Sequence, residues 1–297
     1  MGLRDGQLVV NPTFDQLEES SLNMVVAGTD EAVVMAEGGG IELAEQDMQE
    51  ALEKSHAEIR KVIALEKELL AGQEPEKFEV PLPEGPAGLE EKVASRFGDR
   101  VRDAVRLTGK QERADALDRL REEAVSAFED EYGEEAGAAG GVIDDMVKKA
   151  MRRLVIESGQ RADGRSPDDV RQITCETSVL PRTHGSAVFT RGETQALAVM
   201  TLGSSKDEQK IDALEGESWR SFMLHYNFPS FSVGEVRPVR GPGRREIGHG
   251  ALAERALRPI IPSEEVFPYT IRIVSEILES NGSSSMATGC AGSLALM

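Results

Sequence analysis

Three consecutive serines stand where hydroxyl groups and free backbone N–H groups converge. Ser283, Ser284 and Ser285 follow Asn281-Gly282, between an apolar stretch with strand character and a second apolar stretch with helix character. The first N–H groups of a helix lack partners within the helix, and the helix dipole is positive there. This arrangement predicts a seat for a phosphate group. The residues alone fit a simple serine N-cap after a turn equally well.

A pair of arginines forms a second candidate site for anionic oxygen. Arg244 and Arg245 follow a Gly-Pro-Gly tripeptide, which allows a close approach to a ligand backbone. Guanidinium groups bind phosphate oxygens through two parallel hydrogen bonds and keep their charge at any working pH. His249 follows on or near the same helical face. We therefore predict that Arg244 and Arg245 bind RNA or orthophosphate, whereas a lone histidine at the position of His249 is more often structural.

The charge balance restricts where nucleic acid can bind. The chain has 34 Lys and Arg against 53 Asp and Glu, a net charge of -19. Binding over the whole surface needs cations that neutralise phosphates, so any RNA contact must be local. The arginines concentrate in one stretch: Arg237, Arg240, Arg244, Arg245, Arg255 and Arg258, against Glu246 and Glu254. The alternative is that the acidity serves solubility and these arginines are ordinary surface ion pairs.

Several classes of protein do not fit the sequence. No run of about 18 uncharged apolar residues is present, which argues against a membrane protein. The first ten residues lack the apolar core of a secretion signal. Cys175 and Cys290 match neither a disulfide framework nor zinc-ligand spacing, which predicts a reducing compartment and two plain packing residues.

The elements that must position these residues follow from periodicity. Apolar stretches at 24–27 and 32–35 predict a β-hairpin, and 45–70 predicts a helix packed on it. Prolines and glycines over 73–88 indicate a linker. Apolar residues at helical spacing from Leu89 to Val155 predict three core-forming helices, with a loop over 133–141 before the third.

After Gly159 the pattern changes to that of an α/β unit. Strands are predicted at 170–177, 186–190, 194–202, 221–227 and 269–277, and helices at 244–256 and 285–297. The last helix has no glycine or polar closure before Met297, which suggests a fragment of a longer protein.

Four stretches of this last segment resemble the second RNase PH-like core of the polynucleotide phosphorylase family. They are Arg161 to Arg165, LPRTHGSAVFTRGETQALAVMTLG from Leu180, FMLHYNFPSFSVGE from Phe222 with GRREIGHGALAERAL from Gly243, and SEILESNGSSSMA from Ser275. NPTFDQLEESSLNMVVAGTDEAVVMAE from Asn11 resembles the end of the family's first core, and 89–156 resembles its helical linker domain. The resemblance covers essentially the whole chain.

The resemblance implies an α+β fold in which RNase PH-like cores, of the ribosomal protein S5 domain 2-like type, are joined by an all-helical domain. The expected domains are 1–75, the C-terminal part of the first core; 76–158, the helical domain; and 159–297, the truncated N-terminal part of the second core.

The resemblance also implies an activity: phosphorolytic 3′-to-5′ exoribonuclease and polyribonucleotide nucleotidyltransferase, in mRNA degradation and RNA processing. Orthophosphate, held by the loop of Ser283, Ser284 and Ser285, attacks the last phosphodiester of single-stranded RNA and releases a nucleoside diphosphate. Similar family members place the histidine at the position of His249 beside the RNA path, so the resemblance implies that His249, with Arg244 and Arg245, binds RNA or phosphate. The family's Mg²⁺ ligands and acid–base residues are expected downstream of Met297. No catalytic or metal-binding residue is therefore expected in this chain, and the fragment alone is expected to be inactive.

The resemblance further implies a homotrimer, a possible RNA-degradation complex, no membrane association and a cytoplasmic location. The alternative function is a non-catalytic RNA-binding scaffold subunit of an RNase PH-type ring, which keeps the arginine and serine sites but lacks the metal chemistry.

Overall fold

The computed structural model describes residues 1–73, 78–80, 85–214, 216–238 and 241–297. The chain divides into two compact units, one formed by Met1–Pro75 with Arg171–Met297 and the other by Glu76–Val170. The predicted linker over 73–88 lies partly outside the described residues.

The predicted strands and helices are present in the expected order, together with further short elements. The strands are β1 (Gly2–Arg4), β2 (Gln7–Val9), β3 (Leu22–Gly28), β4 (Val33–Gly40), β5 (Ile173–Thr177), β6 (Gly185–Arg191), β7 (Thr194–Gly203), β8 (Gln209–Ala213), β9 (Gly216–Arg220), β10 (Phe222–Asn227) and β11 (Thr270–Glu279). The α-helices are α1 (Phe14–Glu18), α2 (Glu45–Leu70), α3 (Leu89–Val105), α4 (Lys110–Tyr132), α5 (Ala138–Ser158), α6 (Arg244–Leu257) and α7 (Ser284–Leu296).

The N-terminal strands form a four-stranded antiparallel sheet in the order β2-β1-β3-β4. The predicted hairpin is β3 and β4, and the predicted long helix is α2, so both predictions are confirmed. The helix packs on the sheet through Met48, Ala51 and Leu52, which surround Leu22 and Met24. This burial removes apolar area from water and holds α2 against β3.

The C-terminal strands form a five-stranded sheet in the order β10-β11-β7-β6-β5. The pair β10 and β11 is parallel, whereas the other neighbours are antiparallel. Because β10 and β11 run in the same direction, the segments that follow them leave from the same edge of the sheet. Those segments lead to α6 and α7, which carry the predicted arginine and serine sites.

Glycines lie where α6 and α7 pack on the sheet. A Cβ atom at Gly250 of α6 would lie 3.4 Å from Cβ of Tyr226 on β10. A Cβ atom at Gly185 of β6 would lie 2.1 Å from the carbonyl oxygen of Ala295 on α7. A side chain at Gly185 would therefore prevent the observed packing of α7 on β6, whereas a Cβ atom at Gly250 would make an ordinary contact with Tyr226.

The helical unit has its own core. Helices α3, α4 and α5 bury the apolar residues that step along the predicted stripes, among them Val93, Phe97, Leu120, Phe128 and Ile143. The prediction that these stripes form a core is confirmed. In the segment that follows α5, Arg165 donates from Nε to Oδ2 of Asp163 at 2.8 Å.

The structure corrects two predictions from the sequence and adds one element that was not predicted. The loop predicted over 133–141 is a 3₁₀ turn at Gly133–Gly137 that leads directly into α5, because Ala136 and Ala139 are buried in the helical core. The hairpin of β8 and β9 was not predicted, because most of its residues are exposed and give no alternating apolar pattern. Cys175 and Cys290, predicted as packing residues, are both exposed.

Among the described residues, none of the helices combines the length and the apolar character needed to cross a membrane.

Candidate anion-binding site

The predicted serine cluster forms a sharp turn between β11 and α7. Gly282 and Ser283 both have positive φ values, 89° and 50°, which a glycine adopts freely and a serine does not. Ser283 is the N-cap of α7, but its side chain makes no capping hydrogen bond. The simple N-cap interpretation is therefore not what the structure contains. Ser283 is exposed, whereas Ser284 and Ser285 are buried.

The turn between β6 and β7 supports this loop from one side. Arg191 donates from Nη2 to the carbonyl oxygens of Gly282 at 3.0 Å and Ser283 at 3.3 Å. Thr194 accepts the N–H of Asn281 at its Oγ1 and donates to the carbonyl oxygen of Gly282. These bonds occupy the loop's carbonyl groups, which would otherwise repel an anion. Arg191 is not among the site residues predicted from the sequence, although its TRGET motif lies in the stretch from Leu180 that resembles the polynucleotide phosphorylase family.

Tyr226 connects the serine turn to helix α6. Its side chain is 4% exposed, and its Oη lies 2.7 Å from Oγ of Ser284. The Tyr226 ring centroid lies 5.1 Å from that of His249 and 6.2 Å from that of Phe228, with which it stacks. Sequence analysis assigned no role to Tyr226. The signal that identifies it is its position near the end of β10, beside the strand that leads to the serines.

Helix α6 presents its first turn at the same place. Arg244 and Arg245 are its first two residues, and both are exposed. The Arg245 guanidinium lies 5.7 Å from the Phe228 ring centroid, a cation–π contact that holds the side chain near the Tyr226 group. Phe228 is half-buried.

The structure thus brings together three of the predicted site residues. Arg245, His249 and Ser284 surround Tyr226 and its neighbour Phe228. Ser283 and Arg244 lie exposed at the N-terminal ends of α7 and α6. The arrangement combines guanidinium groups, hydroxyls and the free N–H groups of a helix, all of which favour the oxygens of a phosphate. In the described part of the chain, no group of three or more His, Cys, Asp or Glu residues is placed to hold a metal ion.

The electrostatics of this group come from burial. Burial lowers the pKa of His249, and the positive charge of Arg245 lowers it further, while Glu246 opposes both. Nδ1 of His249 is buried and has no hydrogen-bond partner among the described residues. Burial raises the pKa of Tyr226, although its bond to Ser284 and the charge of Arg245 act in the opposite direction. Near pH 7, His249 is therefore neutral and the Tyr226 hydroxyl keeps its proton.

Three family models match successive parts of the chain. The model described as 3′ exoribonuclease family, domain 2, matches residues 1–58, and domain 1 of that family matches residues 169–297. Between them, residues 88–166 match the model described as polyribonucleotide nucleotidyltransferase, RNA binding domain.

Curated proteins match the chain over its whole length. The polyribonucleotide nucleotidyltransferase of Thermodesulfovibrio yellowstonii is 50% identical over 307 residues, covering 100% of this chain and 43% of that protein. That of Bacillus subtilis is 49% identical over 299 residues, covering 100% of this chain and 42% of that protein. The chain is similar to the polyribonucleotide nucleotidyltransferase family along its whole length.

These matches confirm the resemblance identified from the sequence. The α+β class with RNase PH-like domains is confirmed as well. The chain spans less than half the length of the curated relatives named above. The domain boundaries predicted after residues 75 and 158 stay a prediction.

His249 gives this site a testable pH dependence. Its pKa is lower in the folded chain than the ordinary value of 6.5, so the unfolded chain binds more protons as the pH falls through that value. Stability contributed by neutral His249 is complete above that value and lost below it. We expect the free energy of unfolding in urea to fall less between pH 7.5 and 5.5 in His249→Gln than in the wild type. An equal decrease in the free energy of unfolding in both proteins would contradict a lowered pKa of His249 in the folded chain.

Proposed function

We propose that this chain is part of a phosphorolytic 3′-to-5′ exoribonuclease, a polyribonucleotide nucleotidyltransferase of mRNA degradation and RNA processing. An oxygen of orthophosphate forms a bond to the phosphorus of the 3′-terminal phosphodiester of single-stranded RNA, and the bond from that phosphorus to the O3′ of the preceding nucleotide breaks. The shortened RNA takes up a proton at its new 3′ hydroxyl, and the terminal nucleotide is released as a nucleoside diphosphate. The proposal rests mainly on one structural observation. Tyr226 contacts both Ser284 and His249, so the serine turn of α7 and the arginine turn of α6 lie at one edge of the sheet.

The groups at this edge of the sheet fit the requirements of phosphoryl transfer. Phosphoryl transfer needs its reactants positioned and the charge on the transferred group's oxygens neutralised. We assign orthophosphate to Ser283, Ser284, Ser285 and the free N–H groups of α7. We assign the RNA backbone to Arg244, Arg245 and His249. Because the His249 ring is neutral, the two arginines neutralise the charge of the RNA phosphates.

Further features of the proposal rest on the family. Orthophosphate is the co-substrate, and Mg²⁺, with ligands outside this chain, stabilises charge on the reacting oxygens when it is bound. Single-stranded RNA is the proposed partner, in a homotrimer that joins an RNA-degradation complex, and the proposed location is the cytoplasm. Relatives that match the whole chain carry the name polyribonucleotide nucleotidyltransferase, which supports orthophosphate as co-substrate and RNA as partner.

Binding to this chain tests the assignment of ligands. We expect a fluorescein-labelled oligoadenylate to bind with an affinity that falls steeply with salt, since the contacts are to phosphates. We expect orthophosphate to bind as well, as measured by isothermal titration calorimetry. A chain that binds neither ligand would contradict the proposal.

Activity of a longer protein separates the proposal from the scaffold alternative. For this test, a protein that contains this chain and has the full length of the curated relatives is incubated with RNA, orthophosphate and Mg²⁺. The phosphorolytic enzyme releases nucleoside diphosphates, and Ser284→Ala lowers the rate. RNA binding without any release of nucleoside diphosphate would favour the scaffold.

A further inference from the structure

Tyr226 occupies a position that no predicted role explains. It is almost fully buried on β10, where an apolar side chain would pack equally well, yet its hydroxyl reaches Ser284 across 58 residues of sequence. A buried hydroxyl without a partner is costly, so a tyrosine at such a position indicates a use for its bond. That bond joins the sheet to the first turn of α7.

We propose that Tyr226 is a positioning residue for orthophosphate, which acts by holding Ser284 and the first turn of α7 in the orientation that binds the anion. This inference rests on the proposed function and adds to it a residue outside the predicted set. Tyr226 need not touch the phosphate itself.

The direction of the hydrogen bond gives Tyr226 a chemical role. A serine hydroxyl has one proton to donate and two lone pairs that accept. When Tyr226 donates to Oγ of Ser284, the Ser284 proton stays available for an oxygen of the phosphate. Without this partner, the hydroxyl is free to rotate and to bond with nearby backbone groups instead. Tyr226 therefore fixes both the position of Ser284 and its role as a donor.

The Tyr226 ring links the same turn to helix α6. It packs against His249, and Gly250 of α6 lies beside Cβ of Tyr226. The ring thus sets the separation of the arginine turn from the sheet, while the hydroxyl fixes the serine turn. A change that removes the hydroxyl and keeps the ring separates these two effects.

The test is a double-mutant cycle on phosphate affinity, measured by calorimetry with sodium phosphate. We expect Tyr226→Phe to weaken phosphate binding about five- to tenfold, the effect of removing one buried hydrogen bond. Binding of labelled oligoadenylate changes less than about twofold, because the ring against His249 is retained. Ser284→Ala weakens phosphate binding at least as much, since it breaks the same bond.

The double variant identifies how Tyr226 acts. If it acts through Ser284, Tyr226→Phe has no further effect once Ser284 is alanine, whereas independent contributions would multiply. A purely structural role would instead weaken phosphate and RNA binding together. Tyr269→Phe is the matched control, because this tyrosine is 50% exposed and lies outside the site, and it leaves both affinities unchanged.

The outcomes are distinguishable. Unchanged phosphate affinity in Tyr226→Phe, or multiplying losses in the double variant, would overturn the inference and leave the proposed function intact. If Tyr226→Phe does not fold, unchanged phosphate affinity in Ser284→Ala overturns it equally. A wild-type chain that binds RNA but not phosphate also overturns it, and one that binds neither overturns the proposed function with it.

Discussion

Replacing Arg244 and Arg245 together by alanine is expected to weaken the binding of single-stranded RNA by about 100-fold. Hydrogen bonds that involve charged groups contribute on the order of 1.5–3 kcal/mol each, which corresponds to at least about tenfold per arginine. Both side chains are exposed at the start of α6, so their removal costs the folded chain little. The effect therefore falls on RNA binding and not on the stability of the helix.

Salt dependence distinguishes phosphate binding from a general effect of charge. For single strands, the slope of log affinity against log salt changes by about 0.7 for each phosphate that the protein no longer neutralises. We expect the slope of the double variant to be shallower by about 1.4, as measured by fluorescence anisotropy over a salt series.

A matched pair of cations on α2 provides the control. Arg60→Ala with Lys61→Ala removes the same charge from an exposed helix of the same unit, and is expected to change RNA affinity less than about threefold, since these cations lie outside the site. A similar decrease in both double variants would mean that net charge, and not the α6 turn, governs binding.

The predicted site residues could be identified from the sequence because the patterns that mark them involve only neighbouring residues. A run of serines between a strand and a helix, and two arginines at a helix start, require knowledge of a few neighbouring residues only. The structure places both helix starts within one residue of the predicted positions. That the serines bind phosphate and the arginines bind RNA stays a prediction.

Tyr226 could not be identified in this way, because its function depends on contacts between distant parts of the chain. Its partner Ser284 is 58 residues away, and the contact exists because β10 and β11 pair in parallel. The support of Gly282 by Arg191 spans 91 residues and depends on the pairing of β7 with β11. Periodicity predicts each strand but not which strand it pairs with. Contacts of this kind therefore become visible only when the order of the strands in the sheet is known.

Burial was predicted less well for short elements. The exposed hairpin of β8 and β9 offers no apolar face to either side, and β5, at the sheet edge, leaves Cys175 exposed. The glycines of the 133–141 segment suggested a loop, yet burial of the neighbouring alanines makes most of it helical. In each case packing decided the outcome where local propensity was weak.

Gly185→Ala is expected to produce the largest decrease in stability, because the added methyl group meets backbone and not a flexible side chain. The new Cβ would lie 2.1 Å from the carbonyl oxygen of Ala295, so α7 must move away from β6 by on the order of 1 Å. Overpacking of this kind costs about 1–3 kcal/mol, and we expect a value near the upper end. Urea denaturation of the purified chain measures it.

Gly289→Ala is the matched control on the same helix. A Cβ atom there meets nothing within 4 Å, and alanine is the better helix former, so we expect a gain of up to about 1 kcal/mol. Equal stability of Gly185→Ala and the wild type would contradict the close packing of α7 on β6.

The position of this clash also separates the stability of α7 from its role in binding. Ala295 lies in the last turn of the helix, whereas the serines occupy the first, where Tyr226 and the β6–β7 turn hold them. Folded Gly185→Ala is therefore expected to bind phosphate within about threefold of the wild type, since a shift of the far end tilts the first turn little. Tyr226→Phe is expected to show the reverse pattern, with a larger decrease in phosphate affinity than in stability. A decrease in phosphate affinity in Gly185→Ala as large as in Tyr226→Phe would mean that the whole helix, and not its first turn, determines binding.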